Sequence, residues 1–313
     1  MGPVMVGSSN ARTGLPAAMA ILRACGSALD AVEAAIRIVE DDPADHSVGR
    51  GGLPNVLGEV ELDASIMDGS NLAAGAVAAV RTCAHPISLA RRVMVELPHV
   101  LLVGAGADRF ARECGFPAED PLTEEARTIH ARGLRERRSP GGEVDAVLAV
   151  VAARLASDPE RAGGRDAGTV NVLALDARGH LASGVSTSGW AWKYPGRVGD
   201  SALIGAGNYC DGRWGACACT GRGEMTMRGA TASAAVAALR RGRSALEAGR
   251  EALEGLDGLA DPYFGAVHCV LLDPRGGHAG LSTVPGASYV FMEGTGPVQE
   301  RPRVHVPVAG RPA

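Results

Sequence analysis

Apolar residues in the first third of the chain recur at helical spacing. The stripe in LPAAMAILRACG stops at Gly26, and Ser27 stands where an N-cap belongs before SALDAVEAAIRIVEDD. Two successive helices are therefore predicted. A glycine-rich stretch, SVGRGGLPNVLGEVELDA, interrupts them and leads into MDGSNLAAGAVAAV, whose small residues suit a backbone packed closely against its neighbours. ISLARRVMVEL predicts a helix, HVLLVG a short strand and ADRFARECGF a further helix.

From about residue 116 to residue 165 the apolar period lapses. TIHARGLRERRSPGGE is charged and carries Pro and Gly, so this region is expected to be a flexible linker, with one helix at EVDAVLAVVAARLA. The chain then turns β-rich. TVNVLALD and LASGVSTS, joined by ARGH, predict a hairpin, and SALIGAG and WGACACT predict two more strands. GEMTMRGATASAAVAALRRG and SALEAGREALEGL read as helices, and FGAVHCVLLD, HAGLSTV and SYVFMEG as closing strands. This order lacks the regular alternation of a doubly wound sheet. It fits an α+β arrangement of two packed sheets with helices outside.

Composition narrows the function classes. With 313 residues and 46% apolar residues the chain can bury a sizeable core, and its net charge of −4 gives no footing on nucleic acid or an acidic membrane surface. Lys193 is the sole lysine. No apolar run approaches the roughly 20 residues a bilayer requires, and the start lacks a signal-peptide pattern, so a cytoplasmic protein is expected. The seven cysteines are expected to be reduced core thiols, with Cys217 and Cys219 on one strand face. No paired CxxC or HxxxH completes a zinc set, and LLVGAGADRF has Arg109 where a dinucleotide loop needs its third glycine. Neither metal nor organic cofactor is expected.

The candidate chemistry begins at Gly168-Thr169, where small and charged residues run into a strand that opens with a hydroxyl residue. Taken alone, the junction reads as a β-branched strand start. Downstream lie Thr187 in STSGW, Arg197 and Asp200 in KYPGRVGD, and Thr220-Gly221 in CTGRGE. Arg197 and Asp200 bracket a glycine-containing loop. Such a pair would grip the carboxylate and ammonium of an α-amino acid, or form an ordinary surface ion pair. Thr220-Gly221 follows a strand and precedes a helix, a place for donors to an oxyanion or for a helix cap. Trp190 and Trp192 are expected to pack around the site or wall it.

The segments SVGRGGLPN, ELDASIMDG, HPIS, PHVLLVG, GTV, STSG, PGRVGDS, IGAG and TGRGE, in that order, resemble the glycosylasparaginase and isoaspartyl peptidase (plant-type asparaginase) family over roughly residues 47–229. The resemblance implies a four-layer αββα sandwich made as a precursor that cleaves itself before a threonine. The products would be an α fragment, 1–168, and a β fragment, 169–313, which stay associated and pair further as a dimer of αβ units. It implies Thr169 as nucleophile with its freed α-amine as base, and Thr187 orienting its hydroxyl. It further implies Arg197 and Asp200 holding the substrate's α-carboxylate and α-amine, and Thr220 and Gly221 forming the oxyanion hole.

The substrate implied is a small β-aspartyl amide. SVGRGGLPN is similar to the glycosylasparaginase branch, and cleavage of N4-(β-N-acetylglucosaminyl)-L-asparagine is the first expectation. The Gly-Thr junction and an early segment without tryptophan are similar to the isoaspartyl peptidase and asparaginase branch, the second. Arg222 stands where relatives often carry His, at the pocket mouth. A third expectation is an uncleaved relative that binds an amino-acid-like ligand without catalysis.

Overall fold

The computed structural model describes residues 2–135, 149, 168–261 and 265–310. Strands β1 (Val4–Ser8), β2 (Leu62–Asp68), β3 (Ala73–Val80), β4 (Leu101–Val103), β5 (Val170–Leu175), β6 (Leu181–Thr187), β11 (Ser288–Glu293) and β12 (Gln299–Pro302) build one sheet. It has eight strands in the order β12-β11-β1-β5-β6-β2-β3-β4. A second sheet holds β7 (Asn208–Asp211), β8 (Gly215–Gly221), β9 (Val267–Leu272), β10 (His278–Ser282) and β13 (Val304–His305), five strands in the order β13-β10-β9-β8-β7.

Helices α1 (Leu15–Arg23), α2 (Ala28–Glu40), α3 (Pro86–Glu96) and α4 (Gly104–Glu113) cover the outer face of the large sheet. Helix α5 (Glu124–Arg135) follows them, and α6 (Gly223–Gly229) leads into α7 (Thr231–Arg240) and α8 (Ala245–Glu254), which cover the small sheet. The result is the expected αββα sandwich.

Strand alternation explains why four layers form. On β5, Val170, Val172 and Ala174 face the helices while Leu173 and Leu175 face the other sheet. On β8, Cys217 and Cys219 face the helices, as the alternation of WGACACT predicts, and Ala216 and Ala218 face the sheet opposite. Strands buried on both sides read as continuous apolar runs. Each leucine so enclosed contributes about 1.5–3 kcal/mol relative to an exposed one.

Helix α2 forms as its sequence dictates. The Ser27 side chain accepts the Asp30 amide, and Ala28, Ala31, Val32, Ala35, Ile36 and Val39 make one buried stripe. The small residues before α3 serve close packing, because a Cβ at Gly75 would lie 2.0 Å from the Ala90 carbonyl oxygen.

Several expectations need correction. Strand β1 carries no sequence signal of its own, since its five residues are all buried and glycine and serine dilute the run. It nevertheless lies between β11 and β5. The stretch 62–80 is a hairpin, β2–β3, within the part read as mainly helical. SALIGAG is a series of turns, with Gly205 at φ +95°, and the strand begins only at Asn208. The single helix expected over GEMTMRGATASAAVAALRRG breaks at Ala230, which adopts φ +45°. Within the expected linker, Glu124–Arg135 is helical: Glu124 and Glu125 suit its first turn, and Ile129 and Leu134 pack against Val56 and Trp192. Residues 136–148 and 150–167, which include all but one residue of the helix expected at EVDAVLAVVAARLA, lie outside the described residues. Among the described residues no helix is long and apolar enough to cross a membrane.

Candidate active site

The candidate residues meet at one end of the sandwich, where β5 begins and β6 and β8 end. Val170 is the register partner of Ser186, so Thr169 and Thr187 are the next pair along the same ladder. On the far side of β6, Asp63 pairs with Thr187. The alternation that sends Leu173, Val185 and Ala218 between the sheets sends Thr169, Thr187 and Thr220 there as well. All three threonines are buried.

The hydroxyls of Thr169 and Thr187 both donate to the carbonyl oxygen of Gly168. Thr187 Oγ1 also lies 3.4 Å from the Ser47 carbonyl and accepts the Gly189 amide at 2.9 Å. A hydroxyl has one proton to give, so its alignment on Gly168 rests on that accepted amide and on the Ser188 amide, which fixes Ser47 at 2.7 Å. Two donors on one carbonyl polarise it, and the flanking Thr169 oxygen is within hydrogen-bond reach of the same peptide group.

Arg197 does not pair with Asp200 in the way their spacing suggested. Its Nε and Nη2 donate to the two carboxylate oxygens of Glu224, at 3.0 and 2.9 Å. Asp200 instead accepts the Thr226 hydroxyl at 2.7 Å, and burial pushes its carboxyl up to about 6 although Arg197 opposes the shift. Arginine and aspartate are still neighbours. A Cβ at Gly223 would lie 2.8 Å from Asp200 Oδ1 and 3.4 Å from Arg197 Nη2. Nε and Nη2 are committed to Glu224, while Nη1 lies between Gly189 and Gly199, 3.3 and 2.9 Å from where their Cβ atoms would stand.

Thr220 is the penultimate residue of β8, buried, and its hydroxyl has no hydrogen-bond partner among the described residues. Gly221 follows at φ +103°, and an added Cβ would strike the Ala266 carbonyl at 2.2 Å, so only glycine fits. Trp190 walls this region, with the guanidinium carbons of Arg222 and Arg197 at 4.4 and 5.5 Å from its ring. Arg222 also reaches Glu224 at 3.2 Å and Asp261 at 3.4 Å. Trp192 turns away from the cleft and stacks on His130 of α5, donating Nε1 to the His130 carbonyl at 3.3 Å.

Sequence reasoning missed several buried ionisable groups beside these residues. Lys193 is buried and donates to the Glu61 carbonyl at 2.9 Å. Burial lowers its ammonium below the ordinary lysine value, against the pull of Asp63 and Glu61. Burial likewise raises Asp63, with Lys193 opposing. A sole lysine beside PGR was the available signal for this cluster, and the glutamate of TGRGE was the signal for Glu224. The buried Glu40, whose Oε1 accepts the Ser186 hydroxyl at 2.6 Å and the Ile87 amide at 3.0 Å, left no such trace.

The chain is similar to known proteins over most of its length. A family model described as Asparaginase matches residues 7–296. The isoaspartyl peptidase/L-asparaginase of Mus musculus is 42% identical over 237 residues, 75% of this chain and 67% of its own length. The N(4)-(Beta-N-acetylglucosaminyl)-L-asparaginase of Elizabethkingia miricola is 40% identical over 235 residues, 75% of this chain and 63% of its own length. The plant-type L-asparaginase of Pyrococcus abyssi is 40% identical over 278 residues, 86% of this chain and 84% of its own. The aligned part thus spans about two thirds of the mouse and Elizabethkingia relatives. With a family model over most of its length and three threonines gathered at one end of an αββα sandwich, the chain belongs to the asparaginase family of N-terminal-nucleophile hydrolases, which takes in plant-type asparaginases, isoaspartyl peptidases and glycosylasparaginases.

Proposed function

We propose that the chain is a self-processing amidohydrolase that cleaves itself between Gly168 and Thr169 and then hydrolyses β-aspartyl amides, isoaspartyl peptides and asparagine first among them. One observation carries the reading: two threonine hydroxyls converge on the carbonyl of the peptide bond to be broken. Attack of Thr169 Oγ1 on the Gly168 carbonyl carbon moves the acyl group from nitrogen to oxygen. Water then splits the ester, leaving a carboxylate on Gly168 and a free amine and hydroxyl on Thr169. During attack the carbonyl oxygen gains negative charge, which the Thr187 hydroxyl stabilises.

The freed α-amine has an ordinary pKa of about 7.7–8.0, so near neutral pH it can take the proton of its own hydroxyl. Thr169 Oγ1 then adds to the substrate's side-chain carbonyl. Thr220 and Gly221 stabilise the oxyanion, the amine leaves with the transferred proton, and water releases aspartate from the ester. Arg197 Nη1, held by the Glu224 pairing of its neighbouring nitrogens, receives the substrate α-carboxylate. Asp200, ionised above about pH 6, receives the α-ammonium. The two fragments stay joined through β1, β5 and β11, and pairing of αβ units belongs to the same proposal.

The names of the relatives weigh for the isoaspartyl peptidase and asparaginase reaction over the glycosylamine one that the glycine-rich segment put first. The Elizabethkingia relative keeps glycosylasparaginase as the second reading. Processed protein assayed on an isoaspartyl dipeptide, asparagine and aspartylglucosamine ranks them. The dipeptide is expected to turn over fastest. A processed protein that cleaves none of the three refutes the substrate class, and a chain that stays whole on a denaturing gel supports the uncleaved binder.

A further inference from the structure

Glu40 ends α2 with its side chain completely enclosed, and the reaction sequence above makes no use of it. Its Oε1 accepts the Ser186 hydroxyl at 2.6 Å and the Ile87 amide, in the first turn of α3, at 3.0 Å. Its Oε2 has no hydrogen-bond partner among the described residues. Its own carbonyl oxygen accepts the Arg50 amide at 2.8 Å. The loop at 47–52 rests directly on this residue, since a Cβ at Gly49 would lie 2.3 Å from the Glu40 carbonyl oxygen.

These contacts join three elements that bear on Thr187. Ser186 is its neighbour on β6, and Ser186 pairs with Val170, the residue after Thr169. The loop at 47–52 supplies the Ser47 carbonyl, which accepts the Ser188 amide on the other side of Thr187. The N-terminal turn of α3 packs against β2 and β3 through Ile87 and Ala90, behind the same strand. Because successive residues on a strand point to opposite faces, Glu40 grips Ser186 from the helix side while Thr187 projects into the cleft.

We propose that Glu40 is a positioning residue for self-cleavage, fixing through Ser186 the end of β6 that presents the Thr187 hydroxyl to the Gly168 carbonyl. The inference rests on the self-processing reading above. Acceptance by Oε1, not negative charge, is what holds Ser186 and Ile87. Burial pushes the Glu40 carboxyl up to about 8, so near neutral pH it carries a proton. The charged and titratable groups acting on it are Arg37, which lowers it, Asp41, which raises it, and Cys83, whose thiol it raises in turn. Since the folded-state value lies above the unfolded 4.5, the associated stability is fully present below about pH 4.5 and is lost as pH rises through about 8.

The test compares full-length wild type with Glu40→Gln, Glu40→Leu and Ser186→Ala, following cleavage on denaturing gels at matched folded fraction. Glutamine keeps the accepting oxygen and is expected to cleave within about threefold of wild type at pH 7. Leucine, which cannot accept, is expected to be slowed at least tenfold, and Ser186→Ala comparably. The double variant Glu40→Leu/Ser186→Ala is expected to be no slower than the slower single one, since both remove the same link. Above pH 8 the wild type is expected to melt lower than Glu40→Gln, whose side chain cannot ionise.

Folded Glu40→Leu or Ser186→Ala cleaving at the wild-type rate overturns the inference, as does a slow Glu40→Gln at pH 7. If leucine prevents folding, Ser186→Ala and Glu40→Gln decide the matter alone. A wild type that never cleaves refutes the self-processing reading itself, a result distinguishable from failure of the variants.

Discussion

Replacing Thr187 by valine keeps the branched shape and removes one oxygen. That oxygen donates to the Gly168 carbonyl and accepts the Gly189 amide at 2.9 Å. Two costs follow, and they differ in size. The Gly189 amide loses its acceptor, which destabilises the fold by about 1–3 kcal/mol if water does not replace it. The Gly168 carbonyl loses a donor as its charge develops, which raises the barrier to cleavage by about 2.7–4 kcal/mol, a slowing of roughly 10²–10³-fold. The kinetic effect therefore exceeds what partial unfolding explains. The assay is a gel time course of precursor disappearance, run well below the melting temperature measured by circular dichroism on the same preparation. A folded Thr187→Val chain that cleaves with the wild-type half-time refutes the assignment of this hydroxyl to the scissile carbonyl.

Arg197→Ala is expected to process normally and to raise KM for β-aspartyl substrates by roughly ten- to 150-fold, the loss of a charge-assisted contact of about 1.5–3 kcal/mol. Steady-state kinetics on the processed variant check this, and an unchanged KM removes Arg197 from the substrate grip. Asp200 binds an ammonium only when ionised, and its carboxyl lies at about 6, so KM is expected to rise as pH falls below that value. A flat KM between pH 7 and pH 5 contradicts that role. Gly75→Val would drive a Cβ to 2.0 Å from the Ala90 carbonyl of α3, a strain of about 1–3 kcal/mol that lowers Tm by several degrees. An unchanged melting curve contradicts the close approach of β3 and α3.

Legibility of the sequence followed the reach of the interactions. Ser27 and the apolar stripe of α2 are local, and both the helix and its cap stand where the pattern puts them. The β5–β6 hairpin likewise follows from residues close in the chain, and with it the pairing of Thr169 and Thr187 across the ladder. Strand β1 is held by β5 and β11, partners far along the chain, and nothing inside VMVGS announces it. SALIGAG has strand-like composition, yet the chain must turn there to bring Asp200 under Gly207 and Gly223, and that demand is tertiary. Arg197 and Asp200 were expected as site residues from the family resemblance, their spacing alone fitting an ordinary surface ion pair. Their partners, Glu224 and Thr226, come from α6, so the pairing depends on a contact between elements that spacing alone does not reveal. Glu40 and Lys193 are extreme cases, ionisable side chains whose burial depends on several elements at once.

The proposed chemistry requires Thr169 to become a chain terminus. Intact-mass analysis of purified, active protein, with N-terminal sequencing of the second fragment, tests it most directly. The expected result is a fragment that starts at Thr169 with a free amine, matched by a partner ending at Gly168. An active preparation consisting of one uncut chain, or of fragments parted at another bond, contradicts it.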